Sequence, residues 1–343
     1  MPESATDLRS DTITVPSAAM RDAMLGAVVG DDVFNEDPTV HALQEHGAKL
    51  VGQQAALFVP SGTMANQLAI LSHCRPGDDV LVGVGAHIML YESGAAAAIG
   101  GVQFSVVDGN GHFEVDALLK NLKRTDAAGH IPPTTMVAVE NTHNRGGGLV
   151  LSPQSFLSLA EAAHAHEIAV HMDGARLFNA AAAEGVGVDA WGRHCDTVSI
   201  CLSKGLGAPV GSLLCGSHQT IRRAHRFRKM LGGGMRQAGI IAAAGLHALH
   251  YHVDGLRDDH RRARIFAEEV AKLSMVCLNP TTVRTNIVIF DTPSLEATDV
   301  CARLAPWVKV LPFGPRRVRA VFHRDVDDDG LERAITGARA VLA

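Results

Sequence analysis

Lys204 and Asp173 are the two residues of this chain whose types and positions best predict a chemistry. Lys204 follows the apolar, strand-like run 198–201 and precedes a glycine-rich turn. Asp173 comes directly after a second such run, 168–172. A lysine amine can form a Schiff base with an aldehyde cofactor, and a carboxylate can keep a pyridine nitrogen protonated. The pair therefore predicts pyridoxal 5′-phosphate (PLP) as the cofactor.

Two further segments predict contacts to such a cofactor. Ser61, Gly62 and Thr63 follow an apolar run and open a helical pattern, so backbone N–H groups at a helix N-terminus would face the phosphate. His87 follows a strand-like run and could stack on a flat ring. Each motif alone is equally an ordinary helix cap or a half-buried histidine, so the argument depends on their occurring together.

Three polar residues are candidates for binding the carboxylate of an amino-acid substrate. Ser10 lies in an N-terminal DLRSDT segment, and Arg176 and Arg319 lie in two other segments. Arginine suits this task because its planar guanidinium group donates two parallel hydrogen bonds to a carboxylate. The alternative for any one arginine is a surface ion pair.

Bulk composition is typical of a globular enzyme. The chain has 343 residues, of which 47% are hydrophobic and 20% charged, and this length favours two domains. The net charge of −5 gives no basic surface for nucleic acid. Six cysteines without a C-x-x-C pair favour reduced thiols in the cytoplasm. The polar N-terminus does not resemble a signal peptide, and no apolar run approaches the roughly 20 residues of a membrane span.

The elements that would position the candidate residues alternate between short apolar strands and longer, alanine-rich helices. This rhythm predicts an α/β domain with a mostly parallel sheet. Its predicted strands are 80–82, 136–139, 169–172, 198–201 and 212–215, and its helices include 155–166 and 219–230. A smaller C-terminal α+β domain is predicted from a charged helical pattern at 254–272 and from three strands at 286–290, 307–311 and 318–322. The predicted division is a cofactor-binding large domain, 1–250, which includes an N-terminal segment 1–17, and a small domain, 251–343.

Two patterns imitate metal sites. Asp325, Asp327 and Asp329 match the start of a Ca²⁺-binding loop, but Thr336 stands where that loop needs a bidentate acid. Two histidine clusters lack thiols or acids at zinc-finger spacing, which favours core or surface histidines. The clusters are His247, His250 and His252, and His164 and His166. The sequence therefore predicts no metal ion.

The helix predicted at 219–230 carries a basic cluster without interleaved aromatic residues. The cluster is Arg222, Arg223, Arg226, Arg228 and Lys229. Its composition favours a solvated or subunit-facing helix over a nucleic-acid surface. The glycine-rich segment 232–237 that follows is either a flexible turn or a loop that delivers Arg236 to a phosphate.

Taken together, these residues resemble the low-specificity L-threonine aldolases, PLP enzymes of the aspartate-aminotransferase fold. The resemblance runs from end to end of the chain in one order. The matching segments are DLRSDT (7–12), GDDVFNEDPTV (30–40), PSGTMANQ (60–67), ENTHN (140–144), HMDGARLFNA (171–180), CLSKGLGAPVGSLLCG (201–216), RKMLGGGMRQAG (228–239) and VRAVFH (318–323). The resemblance implies fold type I of the PLP-dependent transferases, with a mostly parallel sheet in the large domain.

The resemblance also implies how the cofactor would be bound. Lys204 would carry the Schiff base, Asp173 would pair with the pyridinium nitrogen, and His87 would stack on the ring. The helix start at 61–63 would hold the phosphate, and Arg236 would reach it from a neighbouring subunit. A homotetramer with active sites at subunit interfaces follows from the same resemblance.

On the substrate side, the resemblance assigns Ser10, Arg176 and Arg319 to the substrate carboxylate and the ring oxygen. His130 matches a second family histidine near the substrate hydroxyl, and Tyr91 lies at an aromatic position beside the substrate side chain. The chain departs from the family at two places. Phe34 stands where a tyrosine is frequent, and Phe322 where a threonine is common, and both concern side-chain preference more than reaction type.

The predicted reaction cleaves L-threonine or L-allo-threonine to glycine and an aldehyde. Clamping the carboxylate would turn the Cα–Cβ bond perpendicular to the ring, the orientation in which its electrons enter the π-system. A base would take the β-hydroxyl proton, and His87, His130 or an ordered water between them are the candidates. Stacking on a cationic ring is expected to favour the neutral form of His87.

Several other activities remain open at this point. The same scaffold would support an aldolase that prefers a bulkier substrate such as L-phenylserine, or a transaminase. A nicotinamide-dependent dehydrogenase could be built on Gly83 and Gly85, although the third glycine of that motif is missing. A non-catalytic PLP-binding regulator would need a DNA-binding element, which the sequence does not show.

Overall fold

A computed structural model describes residues 5–343 of the chain. The strands are β1 Thr6–Asp7, β2 Ala55–Val59, β3 Asp79–Gly83, β4 Gln103–Val107, β5 Thr134–Glu140, β6 Ala169–Gly174, β7 Thr197–Cys201, β8 Ser212–Gly216, β9 Ile287–Asp291, β10 Val308–Lys309, β11 Leu311–Gly314 and β12 Arg317–Val321. The helices are α1 Ala18–Leu25, α2 Pro38–Val51, α3 Gly62–His73, α4 His87–Leu90, α5 Val115–Asn121, α6 Pro153–His164, α7 Leu177–Glu184, α8 Asp189–Gly192, α9 His218–Met230, α10 Gly239–Tyr251, α11 Leu256–Val270, α12 Ala297–Leu304 and α13 Asp328–Leu342. None of these helices is both long enough and apolar enough to span a lipid bilayer.

A seven-stranded sheet forms the centre of the larger part of the molecule. Its order is β2-β8-β7-β6-β5-β3-β4, and β8 alone runs antiparallel to its neighbours. The predicted mostly parallel α/β sheet is therefore confirmed, with every predicted strand of this sheet present. The edge strand β4 was not predicted, because its residues are only partly buried and carry no continuous apolar run.

The parallel strands bring the two key residues to one edge of this sheet. In register, Glu140 of β5 lies beside Asp173 of β6, which lies beside Ser199 of β7. Lys204 follows the end of β7 by three residues. Because parallel strands end on the same side, the acid and the lysine face a common space, as expected for a ligand site at the carboxyl ends of such strands.

The predicted helices are confirmed, with boundaries that differ by up to two residues. Ser61 caps α3 through a hydrogen bond from the Met64 N–H, and Pro153 occupies the first turn of α6. On α9 the interpretation of the basic cluster is wrong for one member. Arg228 is 2% exposed and forms an ion pair with Asp32 (2.8 Å), whereas the other four cationic side chains are exposed.

A second, three-stranded antiparallel sheet lies in the C-terminal part, in the order β11-β12-β9. It packs against α11, α12 and α13 around a separate apolar core that includes Phe266, Phe290 and Phe322. The single strand predicted at 307–311 is instead two strands. The chain changes partner at Val310, because β10 pairs in parallel with β1 whereas β11 pairs with β12.

The N-terminal segment is bound to this C-terminal sheet. Leu8 donates its N–H to the Lys309 carbonyl (2.8 Å) and accepts from the Val321 N–H (2.9 Å), and its side chain is buried in the smaller core. The His323 ring nitrogen Nε2 lies 2.8 Å from the Asp7 carbonyl oxygen. The segment thus links the first and last parts of the chain, and the domain division at 250/251 stays a prediction.

Candidate active site

A cavity of about 430 Å³ opens at the edge of the large sheet where Asp173 and Lys204 meet. Six residues predicted to bind cofactor or substrate line it, and they come from distant parts of the sequence. They are Ser10, His87, Tyr91, Arg176, Lys204 and Arg319. Six others complete the lining, namely Thr12, Asn144, Arg145, Leu311, Pro312 and Phe313. The apolar members come from β11, so both sheets contribute to the site.

Asp173 is buried at the end of β6, where amide groups fix its carboxylate. The Asn66 side-chain N–H donates to Oδ2 (2.8 Å), and the Ala175 backbone N–H donates to Oδ1 (3.1 Å). Burial alone would raise the pKa of Asp173, but the charges of His87 and Lys204 outweigh it and the pKa is lowered. An ionised carboxylate held in this way fits a partner that carries a proton, such as a pyridinium nitrogen.

Asn66 is itself oriented by a chain of hydrogen bonds. Its Oδ1 accepts from the Ser199 hydroxyl (3.0 Å) and lies 3.0 Å from His171 Nε2. The other ring nitrogen of His171 lies 3.0 Å from the Thr197 hydroxyl. Burial lowers the pKa of His171 to about 4, so this ring is neutral near pH 7. The chain therefore fixes the Asn66 amide, and through it Asp173, without adding a charge.

His87 begins α4 and is held by two buried acids. Its backbone N–H donates to Glu140 Oε2 (2.8 Å), and its ring Nδ1 lies 3.2 Å from Glu92 Oε1. Glu92 accepts further hydrogen bonds from the amides of Asn66 and Gln67, both at 2.7 Å. The imidazole is thus tied to the same amide network that holds Asp173.

These acids set the protonation of the site. Burial would lower the pKa of His87, but the Glu92 hydrogen bond and the charge of Asp173 raise it. The expected preference of His87 for its neutral form concerns an imidazole stacked on a cationic cofactor ring, and it stays a prediction. Burial raises the pKa of Glu92, and it raises that of Glu140 to about 7, with the charge of Asp173 adding to the effect. His87, Glu92 and Asp173 are close enough to hold a cation, but the Asn66 amide donates to both carboxylates, which favours hydrogen bonding over metal ligation.

Arg176 is buried and bound to Asp11 by two hydrogen bonds. Its Nε and Nη2 donate to Asp11 Oδ2 (2.7 Å) and Oδ1 (2.6 Å). Burial would raise the pKa of Asp11, but the charge and hydrogen bonds of Arg176 lower it to about 2. The pair is therefore ionised at neutral pH, and Nη1 is the nitrogen of Arg176 left for a ligand.

Arg319 is also buried, but its partners are neutral. Nη1 donates to Asn144 Oδ1 (2.9 Å) and Nη2 to the Arg9 carbonyl (3.1 Å). Burial, reinforced by the charge of Arg176, lowers the pKa of Arg319 to about 10, so the guanidinium group remains charged at neutral pH. A buried charge without a counter-ion among residues 5–343 fits an anionic ligand such as a carboxylate.

A side wall of the cavity connects His87 to Arg319. The Tyr91 ring lies 5.4 Å from the His87 ring, and its hydroxyl accepts from Arg145 Nη1 (2.5 Å). The guanidinium carbons of Arg145 and Arg319 each lie 4.8 Å from the centroid of the Phe313 ring. Tyr91 therefore lies in the cavity and is tied to an arginine that the sequence did not single out; its place beside the substrate side chain stays a prediction.

The start of α3 fits a phosphate. The Ser61 hydroxyl caps the helix, which leaves the backbone N–H groups of Gly62 and Thr63 without partners in the helix. The nearby Ser212 hydroxyl is buried and has no hydrogen-bond partner among the described residues. An added Cβ on Gly62 would lie 3.6 Å from it, in ordinary contact. The site thus combines unused hydrogen-bond donors at the start of α3 with an ionised Asp173 and with Lys204. These are the groups that PLP requires.

Two of the predicted site residues that do not line this cavity lie exposed on the surface of the chain. His130 lies in an exposed turn, where its N–H donates to Asp126 Oδ1 (2.6 Å) and its ring lies 3.3 Å from the same carboxylate. Arg236 is exposed, and its Nη1 donates to Asp31 Oδ2 (3.0 Å). A role in the site for either residue therefore requires a neighbouring copy of the chain.

Sequence reasoning missed several functional side chains, some of which had a signal. Asp11 and Asn144 are polar members of the DLRSDT and ENTHN segments, so the motifs themselves pointed to them. Glu92 follows His87 by five residues in an otherwise apolar stretch, which is a weaker signal. Nothing local marked Arg145 or Phe313, since they meet only through tertiary packing.

The two departures from the family pattern lie away from the cavity. Phe322 is fully buried, with its ring 5.5 Å from that of Phe266 in the smaller core. Phe34 is 70% exposed, at the end of a short 3₁₀ turn. Neither side chain lines the cavity of the single chain.

Comparison with known proteins matches this chain to one family. Residues 7–293 match the family described as Beta-eliminating lyase. The low specificity L-threonine aldolase of Escherichia coli (strain K12) is 43% identical over 343 residues, which cover 98% of this chain and 99% of that protein. The solved threonine aldolase of Leishmania major superposes with a TM-score of 0.83 at 18% identity, covering 98% of this chain and 99% of that one. A serine palmitoyltransferase (SPT) with PLP gives a TM-score of 0.74 at 18% identity, and the superposition covers 98% of this chain and 87% of that one. These structural likenesses confirm the predicted fold class.

Proposed function

Because this chain belongs to the beta-eliminating lyase family, we propose that it is a PLP-dependent L-threonine aldolase, which cleaves L-threonine and L-allo-threonine to glycine and an aldehyde. One observation carries the proposal. Lys204 lines a single cavity with Arg319, a cation without a counter-ion, and Asp173 is buried and ionised at the same edge of the sheet. A Schiff-base lysine, an acid for the pyridinium and a carboxylate receptor are what such a reaction requires of the protein.

The residues that would hold the cofactor fit it at both ends. Lys204 offers the amine for the aldehyde carbon, Asp173 faces the ring nitrogen, and the α3 N-terminus at 61–63 offers donors to the phosphate. When bound, PLP supplies the sink that accepts the electrons of the broken Cα–Cβ bond. His87 would stack on the ring, and its contact with Glu92 would hold its orientation.

Three residues would hold the substrate carboxylate. Arg319 supplies the uncompensated charge, and Arg176 adds its free Nη1 while Asp11 fixes the rest of its guanidinium group. Ser10 lines the same cavity. Fixing the carboxylate restricts rotation about the neighbouring bonds, which positions the Cα–Cβ bond for cleavage.

His87 is the base that a single chain provides. When His87 is neutral, its Nδ1–H would donate a hydrogen bond to Glu92. The lone pair of Nε2 would then be free to accept the β-hydroxyl proton. Burial would lower the pKa of His87, the hydrogen bond with Glu92 raises it, and a bound pyridinium would oppose the effect of Glu92. A contribution of His130 depends on a neighbouring copy.

The proposed assembly is a homotetramer with shared active sites. Large apolar side chains are exposed on α1 and α10, which pack together, including Leu25 (89% exposed), Ile240 (47%) and Tyr251 (72%). Such a patch favours a subunit interface. The exposed positions of His130 and Arg236 fit residues that complete a neighbour's site. The proposed compartment is the cytoplasm, which the free, mostly buried cysteines support.

Replacing Lys204 by alanine tests the proposal. We expect Lys204→Ala to release no aldehyde from L-threonine above the rate of free PLP, and borohydride reduction followed by mass spectrometry to find no cofactor attached to the chain. Lys120→Ala, at an exposed helical position, is the matched control and should retain both. Aldehyde release by Lys204→Ala at the wild-type rate would refute the proposal. L-phenylserine in the same assay tests the alternative substrate.

A further inference from the structure

The cavity carries more positive charge than one amino-acid carboxylate needs. Of its three arginines, Arg176 alone is neutralised by an acid, Asp11. Arg319 bonds to an amide and a carbonyl oxygen, and Arg145 bonds to a hydroxyl, so neither has an acidic partner within residues 5–343. The fourth cation, Lys204, is used by the cofactor. A cavity wall with two free guanidinium groups creates a field that attracts a second anionic group.

Arg145 is held at this wall by three contacts. Its guanidinium group lies on the Phe313 ring, and Nη1 donates to the Tyr91 hydroxyl. Its side-chain stem passes over Gly85, where an added Cβ would lie 3.2 Å from Arg145 Cβ and Cδ. An exposed arginine normally samples many rotamers, and holding one of them costs conformational entropy. The three contacts therefore place a positive charge beside Tyr91, the residue predicted to lie next to the substrate side chain.

The two free arginines are close enough to bind one small molecule. Their guanidinium carbons are equally far from the centroid of the same ring, so they lie no more than twice 4.8 Å apart. A four-carbon dicarboxylate can place one carboxylate against each guanidinium group, with the planar geometry that such pairs prefer. Arg319 would then take the α-carboxylate and Arg145 the second one.

We propose that Arg145 binds an anionic substituent on Cβ, so that the enzyme cleaves β-hydroxy-α-amino acids that carry a carboxylate at this position, of which β-hydroxyaspartate is the simplest. This inference rests on the proposed function. The Cα–Cβ bond breaks, the β-hydroxyl loses its proton, and its carbon becomes the aldehyde carbon of glyoxylate. Cα takes up a proton and leaves as glycine. The reaction consumes no oxidant, reductant or water.

The test compares β-hydroxyaspartate, in its L-threo and L-erythro forms, with L-threonine for three forms of the holoenzyme. These are the wild type, Arg145→Met, which keeps length but loses charge, and Arg145→Lys, which keeps charge. The readout is the ratio of kcat/KM for β-hydroxyaspartate to that for threonine, measured by glycine release. Losing a charge-assisted hydrogen bond should lower this ratio about 10- to 100-fold in Arg145→Met. Arg145→Lys should restore part of it.

A binding measurement gives a readout that does not depend on turnover. L-malate has two carboxylates and no amino group, so calorimetry reports its affinity for the holoenzyme directly. We expect Arg145→Met to weaken malate binding at least tenfold. Arg317→Met removes a nearby charge that is already paired with Asp291, and it should change the affinity less than twofold. An equal loss of malate affinity in the two variants would mean that the overall positive field attracts the anion without a specific contact. That result would overturn the proposal.

The kinetic outcomes separate this inference from the function on which it rests. Cleavage of threonine without cleavage of β-hydroxyaspartate overturns the role of Arg145 and leaves the aldolase intact. An unchanged substrate ratio in Arg145→Met has the same meaning. If the holoenzyme cleaves neither amino acid, the proposed function itself fails.

Discussion

Replacing Asp259 by asparagine is expected to stabilise the protein, and to do so most at neutral and alkaline pH. Asp259 lies in the first turn of α11 and is 1% exposed, and neither of its carboxylate oxygens has a hydrogen-bond partner among residues 5–343. Burial raises its pKa from 3.8 to about 7, with the charge of Asp11 adding to the effect and that of Arg262 opposing it. The folded protein therefore keeps a proton that the unfolded chain releases.

The sign and size of the effect follow from this shift. Because the folded pKa lies above the unfolded one, the stability linked to the bound proton is fully present below about pH 4. It is lost as the pH rises from about 4 through 7. A difference of about three pKa units corresponds to about 4 kcal/mol. Asparagine has nearly the same shape and cannot ionise, so it avoids this loss.

The assay is urea unfolding of the holoprotein at pH 5 and pH 8, followed by circular dichroism. About two fifths of the effect is already present at pH 5, so the advantage of Asp259→Asn over the wild type should grow by about 2 to 3 kcal/mol between the two pH values. Asp258→Asn is the matched control, since Asp258 is exposed in the same helical turn. Its effect should be small and independent of pH. An advantage of Asp259→Asn that is equal at both pH values, or equal to that of Asp258→Asn, would refute the reasoning.

Two further substitutions test the groups around the site. Glu92→Gln removes the acid that raises the pKa of His87. The acidic limb of the pH profile of kcat/KM for threonine should therefore move to lower pH, together with the His87 titration measured by NMR. If this limb does not move, Glu92 does not set the pKa of His87. Arg228→Met leaves Asp32 buried without its partner and should lower the free energy of unfolding by about 3 to 5 kcal/mol, whereas the exposed Arg226→Met should change it by less than about 0.5 kcal/mol. Similar losses in the two arginine variants would contradict the structural role of Arg228.

The central part of the site could be predicted from sequence because it depends on local order along the chain. Asp173 and Lys204 each follow a short apolar strand, and strands of a parallel sheet end at a common edge. The family predicted from these residues and their neighbouring segments is confirmed by the match over residues 7–293. Local motifs therefore located the edge of the sheet at which Asp173 and Lys204 lie.

The interactions that tune the site could not be predicted in this way. Arg176 and Asp11 are 165 residues apart in sequence, and only the folded chain shows that the acid occupies two nitrogens of a predicted substrate-binding arginine. The pKa of His87 depends on the burial of Glu92, which a single sequence does not reveal. The roles of such residues are set by tertiary packing, which a local sequence pattern does not show.

In one place the sequence contained a signal that the prediction did not use. On α9, Arg228 shares a helical face with the buried residues Ile221 and Ala224, so its spacing already marked it as inward-facing.

The pairing of β1 with β10 has a consequence for how the protein is made. During synthesis, Thr6 and Leu8 leave the ribosome well before their backbone partners, Val308 and Lys309, which lie much later in the chain. Until those partners emerge, the segment that contains Ser10 and Asp11 has no neighbouring strand to anchor it. A nascent chain can form much of its large sheet early, yet its binding cavity is completed only after the strands of the smaller sheet have emerged.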